Sequence, residues 1–369
     1  MKHNLFITVY IFIMYAVMSL NTAKAQSGHV KLWNIFDNCL DFTDGQLKIS
    51  EIKDELKNAI WYVDANSTIQ LYCKKGLFDI DNNKISDDNV DFFIPTPGNE
   101  NLIYCFSEKG YYYVVNLKTK KIEKSEKKII QYKKRLAVHH ANCTDIWIYL
   151  ITDLSIQKYL LTSEGLIDKG EIQIFEDYRD IEINLSKDCN YFSAVKACTK
   201  QIYFGKFDRT TGEFNTTSEY VDFPNKYIYF FHSIISPNMT KIYVSGRYNG
   251  SRKVLLEIPI ENGIPNYKAA KEIKVYPKQG NAYPILFYYG PDNNIYTYTL
   301  TKQNDIQTYH FGVIKTDSNG EIVVEDELIT NTLVGDTPNL NHIATWLSDN
   351  PCDTPTCSQI LKPLIIIKK

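Results

Sequence analysis

Histidine changes charge nearest neutral pH, so the adjacent pair His139-His140 is the first place to look for chemistry. His140 directly precedes the polar segment "ANCTD", in which Asn142 adds an amide that can donate and accept. His232 stands in a comparable setting further along, just ahead of "SPNMT". Such groups can hold a metal or a polar ligand; the plain alternative is a hydrogen-bonded histidine closing the end of a strand. No carboxylate is partnered with them in a recognisable pattern. His140, Asn142 and His232 are therefore expected ligand contacts without a catalytic role, and no metal or cofactor is expected.

Other chemistry-bearing patterns are weaker. The sequence contains no G-x-S-x-G elbow, no H-E-x-x-H, no C-x-x-C and no glycine-rich phosphate loop. Asp79, Asp81 and Asn83 imitate the start of a calcium loop, in which alternate oxygen ligands converge on a hard cation. Lys84 stands where that turn needs Gly and Val90 where a bidentate Glu belongs, so a solvated turn is the better reading. The run Lys118 to Arg135 carries nine Lys or Arg residues, interrupted by Glu123 and Glu126. It could bind anionic glycans or nucleic acid. Sparse aromatics favour instead a solvated outer hairpin, where Lys discourages edge-to-edge pairing. Six N-x-S/T sequons, at Asn66, Asn142, Asn184, Asn215, Asn238 and Asn249, mark polar loops.

These residues must be positioned by short strands. The chain of 369 residues is 44% apolar, enough for a substantial core, and 27 Tyr and 18 Phe lie among β-branched residues between Asn, Asp and Gly clusters. Apolar-aromatic doublets follow turn-like segments at Leu71-Tyr72, Ile103-Tyr104, Ile146-Trp147, Tyr191-Phe192, Ile242-Tyr243 and Ile295-Tyr296. Their spacings are 32, 43, 45, 51 and 53 residues. The turns ahead of them include "PTPGNEN", "HANCTD", "LSKDCN", "SPNMT" and "GPDNN", and a second turn follows most doublets. Two hairpin turns per unit imply about four strands, and a period near 45 residues is that of a propeller blade. An irregular β-sandwich is the competing reading. A lone blade cannot bury both faces, so stacking until the ring closes is the physical resolution. The expected fold is an all-β propeller of seven four-stranded blades, with His140 near the mouth of its channel.

The segments "WNIFDNCLDFTDG", "IPTPGNENLIYCF", "AVHHANCTDIWIYLIT", "YLLTSEGLI", "ISPNMTKIYVSG" and "TPNLNHIATWL" together resemble the secreted β-propeller of gliding-motility and type IX secretion-associated bacterial proteins, within the WD40/YVTN-like superfamily. "HANCTDIWI" and "TPNLNHI" are the more specific pieces. The resemblance implies that the Trp33 segment and the Asn341 to Leu347 segment meet in the closing blade. About twenty residues follow the last of these segments, fewer than a full secretion domain needs, so the resemblance does not extend to export across the outer membrane.

Lys2 and His3 precede an apolar run from Leu5 to Leu20, and Ala23-Lys24-Ala25 supplies the small residues a signal peptidase needs. A membrane anchor is the alternative, though the run is short for a span. The expected organisation is a signal peptide over 1–25, a propeller over 26–350 and a short tail over 351–369. In an oxidising compartment the eight cysteines can pair. Cys352 and Cys357, close together in a Pro-containing loop, are the expected local disulfide. Cys189 and Cys198 flank a predicted strand too long for a bridge, and Cys73 and Cys105 are expected to pack singly. Forty-one basic and 43 acidic residues give a net charge of −2, which offers no global field for nucleic acid or an anionic membrane. The expected function is that of an exported, monomeric, non-catalytic binding or scaffold module in the periplasm, at the cell surface or outside the cell. Its partner would be a glycan, a peptide or an envelope protein. A propeller lactonase or lyase is the alternative.

Overall fold

The computed structural model describes residues 32–35, 38–41, 47–56, 59–64, 68–175, 181–196, 199–220, 223–224, 226–248, 252–276, 281–282, 285–290, 292, 294–303, 306–316 and 322–334. Most of these residues are strand. Seven antiparallel sheets follow one another along the chain, one with three strands and six with four or five. Sheet 1 comprises Leu32–Ile35, Asn38–Asp41 and Lys48–Glu51. Sheet 3 runs Phe92–Thr96, Asn99–Ser107, Tyr111–Asn116 and Lys121–Lys128. Sheet 4 runs Lys134–His139, Ile146–Ile151, Ile156–Thr162 and Gly165–Ile172. Sheet 5 runs Ile181–Leu185, Tyr191–Lys196, Ile202–Asp208 and Glu213–Tyr220. Sheets 2, 6 and 7 repeat the pattern over Ile60–Ser86, Tyr227–Val275 and Asn281–Val334. In sheets 2 to 5 each strand pairs only with its sequence neighbours, which is the meander that short turns allow.

All six apolar-aromatic doublets fall on the second strand of their sheets. The turn ahead of that strand has one chemistry in three successive sheets. Asn142, Asp188 and Asn238 each take up backbone N–H groups two residues on, and the next residue, Cys143, Cys189 or Met239, has φ of 64°, 54° and 59°. A short side-chain acceptor replaces the backbone partner the turn removes, which is why Asn and Asp recur at this position.

The core lies between the sheets. Strand alternation sends Ile103, Cys105 and Tyr113 of sheet 3 into a cluster with Tyr62, Leu71 and Leu77 of sheet 2, and Tyr104, Phe106 and Tyr112 into another with Ile146, Ile148 and Leu150 of sheet 4. Leu136, Val138, Trp147 and Tyr149 then join Ile183, Leu185 and Phe192 of sheet 5, and the same sharing continues from sheet 5 to sheet 6 and from sheet 6 to sheet 7. Each of these clusters is shared by two consecutive sheets, so sheets 3 to 6 are covered on both faces. That packing, with a four-stranded meander as its unit, defines a β-propeller.

Gly212 makes one such junction possible. Its φ of +71° favours Gly, and a Cβ there would lie 2.8 Å from the Trp147 ring and from the Tyr149 hydroxyl. The close approach lets Tyr149 donate to the Gly212 carbonyl at 2.8 Å and Trp147 Nε1 to the Arg209 carbonyl at 2.8 Å. Trp147 belongs to the core between sheets, as expected from its position after the turn.

Cys73 and Cys105 are buried free thiols, packed singly as predicted, while Cys143 and Cys189 are disulfide-bonded. The predicted strand between Cys189 and Cys198 is present as Tyr191–Lys196. Cys198, the Cys352 and Cys357 pair, the 1–25 segment and the Asn341 to Leu347 segment lie outside the described residues. The Trp33 segment forms the first strand of the three-stranded sheet. Among the described residues, no helix is long and apolar enough to cross a membrane.

Candidate functional site

His140 and Asn142 share the turn that joins the first two strands of sheet 4. The turn closes with the His140 amide donating to the Asp145 carbonyl at 2.9 Å and the Cys143 amide to the His140 carbonyl at 3.0 Å. Asn142 Oδ1 accepts from the Thr144 and Asp145 amides at 3.1 and 3.0 Å, and its Nδ2 donates to Asp145 Oδ2 at 2.7 Å. The His140 ring is engaged at both nitrogens: Nδ1 accepts from the Asn142 amide at 3.0 Å, and Nε2 lies 3.0 Å from the Thr210 carbonyl of sheet 5. With Nδ1 accepting, Nε2 is the nitrogen left to donate to that carbonyl. Ser186 and Ser236 occupy the same place in the next two sheets, where their hydroxyls likewise accept turn amides.

Arg209, in the turn between the third and fourth strands of sheet 5, locks this junction. Its guanidinium donates to the His139 and His140 carbonyls at 3.3 and 3.2 Å, and its own carbonyl receives the Ala141 amide at 3.1 Å and the Trp147 indole. Lys158 adds a bond to the Thr211 carbonyl at 3.2 Å and an ion pair with Glu213. His139 is held beneath, with a buried Nδ1 that has no hydrogen-bond partner among the described residues. Burial, followed by the positive charge of Arg209, lowers its pKa to about 4, against a smaller opposing pull from the Asp145 backbone.

His232 is on the first strand of sheet 6, the strand corresponding to that of His139, but it is buried there and apart from the turn of His140 and Asn142. Its Nδ1 accepts from the Phe287 amide of sheet 7 at 3.3 Å, its Nε2 lies 3.4 Å from Asn184 Nδ2 of sheet 5, and its ring centroid sits 5.5 Å from that of Phe287. It thus ties three consecutive sheets together. Charged residues of the first strands are also paired between sheets, Arg135 with Asp91 and Lys134 with Glu182 at 2.7 Å. The end of the basic run therefore departs from the solvated-hairpin expectation. Lys121–Lys128 is the exposed outer strand of sheet 3, but Lys134 and Arg135 begin sheet 4 and point into its two flanking junctions.

The Asp79 turn is closed by its own atoms. Asp79 accepts from the Asp81 and Asn83 amides at 2.9 Å each and from Asn83 Nδ2 at 3.0 Å, and these bonds lower its pKa. Among the described residues, no group of three or more His, Cys, Asp or Glu side chains is arranged to hold a metal.

A different surface opens between the outer strands of sheets 3 and 4. A cleft of about 410 Å³ is lined by Tyr112, Lys127, Lys128, Ile129 and Ile130 on one side and by Gln157, Tyr159, Leu166 and Asp168 on the other. Register explains the assembly: Tyr112 is paired with Lys127 and Tyr159 with Asp168, the second pair beside a bulge. Gln157 Nε2 donates to Asp168 Oδ1 at 2.6 Å, and the Gly170 amide donates to the same oxygen at 2.8 Å, so the carboxylate is oriented by two bonds on one side. The Tyr112 hydroxyl and the Lys127 and Lys128 ammonium groups have no partner among the described residues. The sequence signalled the lysines as part of a basic run, but not the facing Gln157 and Asp168. Only strand pairing and sheet stacking bring them opposite one another.

No protein-family model matches the chain, nor does any curated protein. Among solved structures, a Lactobacillus plantarum protein is similar at a TM-score of 0.52 and 14% identity, over 82% of this chain and 98% of that one. A putative 6-phosphogluconolactonase from Bacteroides fragilis is similar at 0.51 and 11% identity, over 86% and 98%. Another, from Bacteroides uniformis, is similar at 0.50 and 11%, over 83% and 96%. Likeness at these identities speaks for the fold alone. The class is a β-propeller.

Proposed function

We propose that the protein is an exported, monomeric β-propeller that binds a glycan, peptide or protein partner at the cell envelope without transforming it. The observation that carries this reading is how the junctions use their reactive groups. His140, His232, Arg135 and Lys134 are engaged in holding sheets together, and the His139 carbonyl accepts from Arg209. A catalytic acid or base must instead be free to reach a substrate atom. A surface concavity that retains uncommitted polar groups is the cleft between sheets 3 and 4, whose composition suits recognition. Export is supported by the 1–25 signal-peptide pattern and by the disulfides at Cys143 and Cys189, which persist in oxidising compartments. The quoted segments support a place among the secreted propellers of gliding bacteria.

The test is recovery of the ligand. Purified mature protein incubated with envelope polysaccharide and peptide fractions should retain a ligand whose mass is unchanged. Multiple turnover of a lactone or a glycosidic substrate would establish the enzymatic alternative instead.

A further inference from the structure

We infer that the cleft between sheets 3 and 4 is a binding site for an acidic sugar, a uronic acid unit of a glycan chain. The inference rests on the binding-module reading and assigns it a place and a ligand class. Its first support is the division of chemistry across the cleft. One wall carries Lys127 and Tyr112, which are paired across their strands and so share one face of sheet 3; the other carries the Gln157 amide beside the oriented Asp168 carboxylate. A carboxylate with its second oxygen open is an acceptor for sugar hydroxyls, and it repels a ligand whose only polar groups are anionic. The Lys127 ammonium opposite attracts such an anion. A ligand satisfying both walls needs hydroxyl donors on one side and a carboxylate on the other, which is the functional-group pattern of a uronic acid.

The second support is the floor. Ile129, Ile130, Leu166 and Tyr159 line the cleft between the polar walls, an apolar surface for the C–H face of a pyranose ring. Asp168 is set by the bulge and by Gly170, and Gln157 is bonded to it. Little ordering of these two side chains then remains to oppose binding. The cleft has room for one or two sugar rings.

An acidic peptide would satisfy the lysines, but its carboxylates would meet Asp168 without hydroxyl donors to offer. The probes are therefore digalacturonic acid, its neutral counterpart digalactose and a penta-aspartate peptide, titrated calorimetrically into the mature protein. Digalacturonic acid should bind, with digalactose and penta-aspartate each weaker by about tenfold or more. The double variant Lys127→Ala/Lys128→Ala and the single variant Asp168→Asn should each lose at least about tenfold for digalacturonic acid. Removing two basic residues elsewhere on the same hairpin, Lys118→Ala/Lys121→Ala, should leave it unchanged. Absence of digalacturonic acid binding overturns the inference. So does equal loss in the Lys118/Lys121 control, which reports diffuse charge, and so does penta-aspartate binding as tight as the disaccharide, which assigns the cleft to an acidic peptide. Each of these failures would leave the binding-module reading standing if envelope polysaccharide were still retained unaltered, whereas turnover of a retained ligand would remove that reading itself.

Discussion

The turn at His140 and the cleft between sheets 3 and 4 are both polar surface features on sheet 4, yet their atoms are committed differently. In the turn, Asn142 uses its oxygen and its nitrogen locally, and His140 uses both ring nitrogens, one within the turn and one on sheet 5. In the cleft, the Lys127 ammonium and the Tyr112 hydroxyl are without a partner among the described residues, while Gln157 and Gly170 orient the carboxylate opposite. A polar group fully engaged by its own fold contributes stability; a group held in place but left with open valence can contribute affinity. Residue type does not separate the two cases. Histidine reads as the more functional residue and lysine as the more ordinary one, yet both His140 nitrogens are engaged while Lys127 is unpaired among the described residues.

Breaking a junction ion pair tests the stability side of the comparison most severely. Asp91→Ala should destabilise the protein by about 3–5 kcal/mol, because Arg135, 5% exposed at its side chain, would keep a buried charge without its carboxylate. Chemical denaturation checks this, and a loss below about 1 kcal/mol would mean the junction charges are hydrated rather than structural.

Acid tests the same side through His139. Its pKa is lowered to about 4 in the fold, against an ordinary value of 6.5, so between those values the unfolded chain binds more protons than the native one. Stability from this group is full above pH 6.5 and declines as the pH falls towards 4, by an amount on the order of 3 kcal/mol at most. His139→Gln should flatten that part of the stability profile measured by denaturation at stepped pH. An unchanged slope would place its origin at other groups.

His140→Ala removes a turn acceptor and the contact to Thr210, for an expected loss of about 1–2 kcal/mol, with retained ligand binding. A variant of native stability that no longer bound the ligand would move the site to the turn and invert the comparison. The smallest effect is expected in the cleft. Lys127→Ala/Lys128→Ala should shift stability by less than about 0.5 kcal/mol, since both side chains are exposed and unpaired among the described residues. A large drop in melting temperature would show that these lysines belong to the fold and not to a binding surface.

The repeat was legible in the sequence because its causes are local. Ile242-Tyr243 and its five counterparts alternate across a strand, and the Asn or Asp of the preceding turn bonds to amides only two residues away, so a window of about ten residues contains the whole reason for each hairpin. The same locality let the strand between Cys189 and Cys198 be placed, and the single packing of Cys73 and Cys105 follow. What the polar side chains do was decided by the tertiary structure. His140 meets Thr210 seventy residues on, Arg135 meets Asp91 forty-four residues back, and His232 meets Phe287 fifty-five residues on, each across a sheet-to-sheet junction. Lys127 and Asp168 face one another for the same reason, since neither the basic run nor the bulge predicts which face of the neighbouring sheet stacks opposite. Strand periodicity specifies which side of a sheet a residue occupies; only stacking specifies what stands across from it, and that partner determines whether a polar atom is consumed by the fold or left for a ligand.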